Sequence, residues 1–213
     1  DMPVLMTAMI GYWALGMNGR FGRADGIVFY TGLILFCAWC IRRALEPGWP
    51  LPAEARSNAS RKAMLTRNGS LFLGGLIGLG LGGHFLVKSA SSIAAALGLK
   101  EWVIGVTLVA LGTSLPEIAT SLVAMFRGQP ELAIGNAVGS NIFNVLFVQG
   151  TVALIRPVDV PAARLEIDFP YMVGLCVLLY LILALQKGIR RWQGGLLLAA
   201  YLVYLWVSVT LVA

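Results

Sequence analysis

Long apolar blocks, separated by short connections that hold most of the charged residues, run along the whole chain. Blocks of this length and composition are typical of helices that cross a bilayer, which need about 20 mostly apolar residues. They do not show the alternating segments of about ten residues that build membrane β-barrels. The pattern therefore predicts an all-α, polytopic membrane protein with seven transmembrane helices. The predicted spans are residues 3–17, 27–41, 71–97, 102–126, 133–155, 169–185 and 194–213.

Composition supports the same class of protein. Hydrophobic residues make up 58% of the chain and charged residues only 12%. A soluble domain carries about 25% charged residues, so this chain has too few to cover the surface of a soluble globule. The formal net charge of +6 would suggest nucleic-acid binding in a soluble protein. Here the basic residues lie at the ends of apolar blocks, so we expect a lipid bilayer and no nucleic acid as the partner.

Lysine and arginine are divided unequally between the two sets of connections. One set, which includes residues 42–70, holds ten of them, and the other holds five. Because cytoplasmic connections carry the excess of basic residues, we expect the first set in the cytoplasm and the C-terminus outside. Residues 42–70 are then a cytoplasmic linker between two groups of helices. The chain begins with Asp1 and shows no signal-peptide pattern, so we expect that the start of the protein is missing.

One carboxylate lies deep within the fourth apolar block. This residue, Glu117, is far from both charged ends of its block. A carboxylate in a span costs several kcal/mol unless it faces protein, water or an ion, and such residues mark functional sites. The alternative is a buried carboxyl group that is neutral or paired with Lys88.

The neighbours of Glu117 favour the functional interpretation. Pro116 has no N–H, so the carbonyl of Gly112 loses its helical donor and the helix is expected to break. In a membrane, freed carbonyls are tolerated where they line a cavity. Thr113 and Ser114 precede Glu117 by four and three residues and share its helix face. The sequence therefore predicts a cluster of carbonyl, hydroxyl and carboxylate oxygens.

The fifth block carries a second polar face. Asn136, Ser140 and Asn144 are spaced by four residues, and Asn141 lies beside them. Hydrogen bonds between helices, worth about 0.6 kcal/mol each, would explain one asparagine better than all of them. Oxygen ligands without a thiolate suit Ca²⁺, Na⁺ or K⁺ rather than zinc or copper. The two blocks together therefore predict a site for hard cations.

The runs GTSLPE at 112–117 and GNAVGSNIFN at 135–144 closely resemble the second α-repeat of the cation/calcium antiporter superfamily, above all its bacterial sodium/calcium exchangers. The resemblance implies a fold of ten helices in two inverted halves. Residues 1–41 would supply the last two spans of the N-terminal half. Residues 71–213 would form the C-terminal half, with the second α-repeat at about 102–155. The first α-repeat would lie in a missing N-terminal half, which is therefore an expected partner.

The resemblance also implies ion contacts for individual residues. It implies that Glu117 is a calcium ligand and that Asn144 borders the central site. It implies contacts to sodium or calcium from Thr113 and Ser114, and to sodium from Ser140 and the carbonyl of Ala110. Some relatives carry Asp where Asn144 stands, and the loss of that charge keeps K⁺ open as a further transported ion. Asn136 and Asn141 are predicted ligands from the helix face alone.

The function implied by the resemblance is exchange of Ca²⁺ for Na⁺ by alternating access, without a cofactor, in a bacterial inner membrane. One carboxylate poorly balances a divalent ion, so we expect a second one from the missing repeat. A calcium/proton exchanger and a membrane subunit that does not transport are the alternatives. An intramembrane enzyme would have to use His84 and Glu117, and no catalytic motif accompanies that pair.

Overall fold

The computed structural model describes residues 2–46, 61–98, 101–186 and 188–211, and these form a helical protein. The helices are α1 (Met2–Gly16), α2 (Arg23–Ala44), α3 (Arg61–Ala96), α4 (Glu101–Ile104), α5 (Ala110–Thr113), α6 (Leu115–Phe126), α7 (Pro130–Phe143), α8 (Gly150–Ile155), α9 (Ala162–Gln186) and α10 (Arg191–Leu211). Two π-helical segments, π1 (Gly105–Val109) and π2 (Asn144–Gln149), join α4 to α5 and α7 to α8. Two short strands, β1 (Arg20–Phe21) and β2 (Val158–Asp159), pair antiparallel.

The prediction of an all-α, polytopic membrane protein is confirmed. Among the described residues, five helical stretches are long and apolar enough to cross a membrane, and a sixth candidate is bent at a break within it. The first predicted span is the exception, since α1 has only 15 residues. At about 1.5 Å per residue, a helix of that length is shorter than the hydrocarbon core of a bilayer.

The third predicted span is longer in the structure than in the sequence pattern. Helix α3 begins at Arg61 and runs for 36 residues, so the last ten residues of the predicted 42–70 linker are helical. Hydropathy marks where a helix enters lipid, whereas the helix itself continues for as long as its backbone hydrogen bonds do. Residues 47–60 of the predicted linker lie outside the described residues. Its role as a boundary between two halves stays a prediction.

The chain packs as two compact units, Asp1–Cys37 with Thr120–Ala213, and Ala38–Ala119. In the first unit, α1 packs against α7 and α9, and an aromatic cluster holds them together. The Tyr12 ring stacks on Phe21 and on Phe169, with centroid separations of 4.7 and 5.0 Å. The β1–β2 pair lies beside this cluster, because Phe21 in β1 is part of it and only 1% exposed.

In the second unit, α3 packs against α4, π1 and α5. The closest approach is between two backbones, at Gly83 of α3 and Gly112 of α5. A Cβ placed on Gly83 would lie 3.3 Å from the carbonyl oxygen of Gly112, and one placed on Gly112 would overlap Val87 Cγ2. The small residues thus let α5, which carries part of the predicted site, lie directly against α3.

Candidate functional site

The helix that carries Glu117 is broken at the predicted position. Helix α5 ends at Thr113, α6 begins at Leu115, and the two axes differ by 49°. Between them Ser114 has φ −92° and ψ 0°, in the sparsely populated bridge region. Since Pro116 cannot donate a backbone hydrogen bond, the α-helical ladder cannot pass unbroken through this point.

The backbone before the break places two predicted ligands side by side. The Thr113 hydroxyl donates to the carbonyl oxygens of Val109 at 3.1 Å and of Ala110 at 3.0 Å. The Ser114 N–H also donates to the Ala110 carbonyl, at 3.3 Å. A hydroxyl that donates still has two lone pairs, so the Thr113 oxygen can bind a cation in this arrangement. The Thr113 hydroxyl and the Ala110 carbonyl are therefore neighbouring oxygens.

Glu117 lies in the first turn of α6, just after the break. Its side chain is half-buried, and its Oε2 atom exposes less than 1 Å² to solvent. The amino end of a helix carries a partial positive charge, which favours a carboxylate in the first turn. The break thus moves Glu117 from the middle of a helix to the beginning of one, within a turn of the Ser114 and Thr113 hydroxyls.

The carbonyl of Gly112, which Pro116 deprives of its helical donor, lies against α3. Gly112 itself is buried, and its oxygen approaches the backbone of Gly83. This oxygen therefore lies at the contact between α5 and α3, and its place in the oxygen cluster around Glu117 stays a prediction.

Replacing Gly112 with Ala is expected to destabilise the contact between α5 and α3. The new methyl group would overlap Val87 Cγ2, and overpacking of this kind costs about 1–3 kcal/mol. The loss should appear as a lower unfolding temperature in detergent. Adding Val87→Ala should restore most of it, because that change removes the clashing methyl. Gly78→Ala, with no atom within 4 Å of its added Cβ, is the matched control. Equal unfolding temperatures for Gly112→Ala and Gly78→Ala would contradict the close contact between Gly112 and Val87.

The second group of predicted ligands lies on α7 and the start of π2. It consists of Asn136, Ser140, Asn141 and Asn144. The Asn136 amide donates to Ser121 Oγ of α6 at 3.1 Å, which ties the two helices together. The Ser140 hydroxyl and the Asn141 amide both donate to the Ala137 carbonyl, at 3.2 and 2.8 Å. In Asn141 the amide nitrogen is the donor, so this bond leaves the lone pairs of its Oδ1 oxygen unused.

Asn141 differs from the other three residues of this group. Its side chain lines a cavity whose other walls come from α1, β2, α9 and α10. Asn136, five residues earlier, instead contacts α6. Five residues correspond to about 140° around a helix, so the two side chains leave α7 on different faces.

Each predicted group adjoins a π-helical segment. Ala110 follows π1 directly, and Asn144 is the first residue of π2. Single π-helical turns within α-helices are often found at functional sites. No sequence pattern predicts either segment or the contact of Asn136 with Ser121. Ala110, Thr113, Ser114 and Glu117 lie in one compact unit, and Asn136, Ser140, Asn141 and Asn144 in the other. That the two groups meet stays a prediction.

Comparison with known proteins gives consistent matches. The family model described as "Sodium/calcium exchanger protein" matches residues 69–210, which include all eight predicted ligands. The sodium/calcium exchanger MaX1 of Methanosarcina acetivorans is 44% identical over 117 residues, covering 55% of this chain and 33% of MaX1. The inner membrane protein YrbG of Escherichia coli is 28% identical over 228 residues, covering 100% of this chain and 68% of YrbG.

Solved structures of the sodium–calcium exchanger NCX_Mj share the fold. The one soaked with Na⁺ and without Ca²⁺ aligns with a TM-score of 0.74 and 31% identity, over 95% of this chain and 63% of NCX_Mj. The chain therefore spans about two thirds of the length of NCX_Mj and of YrbG, and the 117 residues matched to MaX1 cover one third of it.

Proposed function

Because this chain belongs to the sodium/calcium exchanger family, we propose that it is part of a secondary antiporter that exchanges Ca²⁺ for Na⁺ across a membrane. The observation that carries the proposal is the break at Ser114. It lies among the Ala110 carbonyl, the Thr113 and Ser114 hydroxyls and the Glu117 carboxylate, which follow one another within about two helical turns of a broken helix apolar enough to cross a membrane. Family membership also argues against the enzyme alternative, since the relatives named above as exchangers are transporters.

The proposed site binds ions that have lost most of their water. Ca²⁺ takes six to eight oxygens at about 2.3–2.6 Å, and neutral carbonyl and hydroxyl oxygens can supply several of them. Glu117 supplies one negative charge toward the two of Ca²⁺. We therefore expect a second carboxylate from outside these residues, in a first α-repeat. The relatives, which are longer than this chain, have room for such a segment.

The α7 group completes the proposed site. Ser140 and Asn144 would bring neutral oxygens to the same ion, with Asn136 as a further ligand held in place by Ser121. Of the eight predicted ligands, Asn141 alone lines the cavity between α1, β2, α9 and α10. Asn144 carries no charge, so the site has one carboxylate fewer than in relatives with Asp there. This missing charge leaves K⁺ open as a third transported ion, so transport should be measured with and without K⁺.

Exchange follows if Ca²⁺ and Na⁺ compete for these oxygens and the loaded site can face either side of the membrane in turn. The break at Ser114 and the two π segments are the points at which the helices would change shape. We place the protein in a bacterial inner membrane, with residues 42–70 in the cytoplasm and the C-terminus outside. Labelling of single cysteines introduced at those two places, from each side of the membrane, tests this orientation.

An outward Na⁺ gradient is expected to drive uptake of radioactive calcium into vesicles that hold the complete protein. Collapsing the gradient with a sodium ionophore should reduce uptake to the level of protein-free vesicles, because the calcium movement has no other energy source.

The same assay separates the alternatives. Uptake driven by a proton gradient in sodium-free medium would instead favour a calcium/proton exchanger. A folded protein that takes up calcium under neither gradient would favour the subunit that does not transport.

A further inference from the structure

The cavity lined by Asn141 lies within the unit formed by Asp1–Cys37 and Thr120–Ala213, and it has a polar end and an apolar end. It encloses about 680 Å³ between α1, β2, α9 and α10. Of the eight predicted ion ligands, only Asn141 lines it. Its two ends differ in character: charged and phenolic groups gather at the start of α9, and aliphatic side chains line the remainder. The proposed exchange activity uses none of the groups at the charged end.

The charged end is an ion pair within the protein. Arg164 Nη1 and Asp168 Oδ2 are 3.6 Å apart, and the two side chains are only 12% and 27% exposed. Tyr204 lies beside Asp168 and stacks on Tyr171, with the ring centroids 4.4 Å apart. The Asp168 Oδ1 and Tyr171 hydroxyl oxygens are buried without a protein hydrogen-bond partner among the described residues. Buried polar atoms are nearly always bonded to something, so a ligand that donates hydrogen bonds is expected here.

The apolar end is a stripe along α9. Met172, Leu175, Cys176 and Leu179 all line the cavity, at the spacing of one helix face. Leu197 of α10 lines the same cavity. From Arg164 to Leu179 the helix rises about 22 Å, enough to accompany a lipid acyl chain through much of one leaflet.

The order of these groups matches the layers of a bilayer. Arg164 is the first residue of the stretch of α9 that is long and apolar enough to cross a membrane (164–186), so the charged pair lies at the membrane surface and the aliphatic stripe extends toward the centre. Tyrosines next to the charged pair are typical of the membrane interface. A ligand that fits must therefore be polar at the surface and apolar inside.

We propose that this cavity binds one zwitterionic phospholipid, phosphatidylethanolamine. Its phosphate would pair with Arg164, its ammonium with Asp168, and one acyl chain would follow the α9 stripe. Adjacent opposite charges suit a zwitterion, whereas an anionic headgroup would take Arg164 for its phosphate and bring no ammonium to balance the charge of Asp168. A primary ammonium has three N–H donors for the buried oxygens of Asp168 and Tyr171.

Native mass spectrometry of the complete, delipidated protein tests the proposal. With phosphatidylethanolamine and phosphatidylglycerol at equal concentration, we expect the zwitterionic lipid to be retained about tenfold more, as one charge-assisted hydrogen bond predicts. Cys176→Trp should fill the apolar end and abolish retention. Val177→Trp, on the next residue of α9 and outside the cavity, should leave it unchanged. The double variant Arg164→Gln with Asp168→Asn should remove the headgroup preference.

Equal retention of the two lipids, or equal behaviour of the two tryptophan variants, would overturn the proposal.

A second measurement does not depend on how a tryptophan variant folds. With Cys37 and Cys40 replaced by Ser, Cys176 is the only thiol of these 213 residues. Phosphatidylethanolamine should slow its alkylation by an apolar maleimide about tenfold relative to phosphatidylglycerol, in line with the same difference in binding. Equal rates of alkylation in the two lipids would contradict the preference for phosphatidylethanolamine and overturn the proposal.

Discussion

Replacing Glu117 with Gln is expected to abolish sodium-driven calcium uptake, with a loss of about 100-fold or more in transport at low calcium. The amide keeps the size of the side chain and one oxygen, but removes the negative charge that this half of the site contributes. Calcium affinity depends strongly on the number of charged ligands, so loss of this charge should raise the calcium concentration for half-maximal uptake. Measuring vesicle uptake over a range of calcium concentrations gives this half-maximal concentration.

The control for this variant is Glu131→Gln. Glu131 lies in the first turn of α7, like Glu117 in α6, but is exposed. Its replacement changes the net charge by the same amount and should leave uptake unchanged. Glu117→Asp, which keeps the charge on a shorter side chain, should give an intermediate result. Normal uptake by Glu117→Gln, in protein that unfolds at the usual temperature, would refute the proposed site.

Replacing Pro116 with Ala is expected to reduce calcium uptake about tenfold while leaving the protein at least as stable. The alanine N–H could donate to the Gly112 carbonyl and let α5 continue into α6 with a smaller bend. Proline inside a helix costs about 3 kcal/mol, less near a helix start, so its removal should not lower the unfolding temperature. Straightening would turn the Thr113 and Ser114 oxygens away from Glu117. Uptake and unfolding temperature, measured on the same preparation, test both parts.

Pro130→Ala is the matched control. Pro130 is the first residue of α7, where a missing N–H leaves no carbonyl without its donor. This variant should keep both activity and stability. If Pro116→Ala transported normally, the break would not matter for ion binding. If it lost stability together with activity, Pro116 would be needed for folding rather than for the shape of the site.

The two discussed variants separate charge from geometry. Glu117→Gln leaves the break in place and removes the charge, whereas Pro116→Ala keeps the charge and alters the break. The first should mainly weaken calcium binding. The second should change the binding of sodium as well, because the Ala110 carbonyl and the Thr113 hydroxyl are among the oxygens proposed to contact sodium. A comparison of the sodium dependence of uptake in both variants therefore tests the overlap of the two ions in one pocket.

Much of the local structure was readable from the sequence because its causes are local. Apolar blocks predict helices in a membrane, since lipid leaves backbone groups no partner other than their own helix. The break at Ser114 was predicted because Pro116 lacks one particular hydrogen-bond donor. The polar faces around Glu117 and along α7 follow from the 3.6-residue period of the helix. None of these features depends on a distant part of the chain.

Other features could not be predicted from the sequence pattern. The extra turns at the start of α3 lie beyond the apolar block, and no apolar residue marks where they begin. The π segments insert a wider turn without a distinctive residue. The Gly112 carbonyl lies against Gly83 of α3, a contact that no pattern in the sequence indicates.

The sequence alone determined that this is a helical membrane protein, where its fourth span breaks, and which oxygen-bearing side chains share a helix face, because these follow from composition, period and a missing N–H. Only the tertiary structure decided which of those faces meets which neighbour. It turned Asn136 toward Ser121 and Asn141 toward the cavity beside α9, and it placed Tyr204 of α10 beside Asp168 of α9. The helical period fixes the angle between side chains on one helix, but the orientation of the whole helix is set by packing against the others.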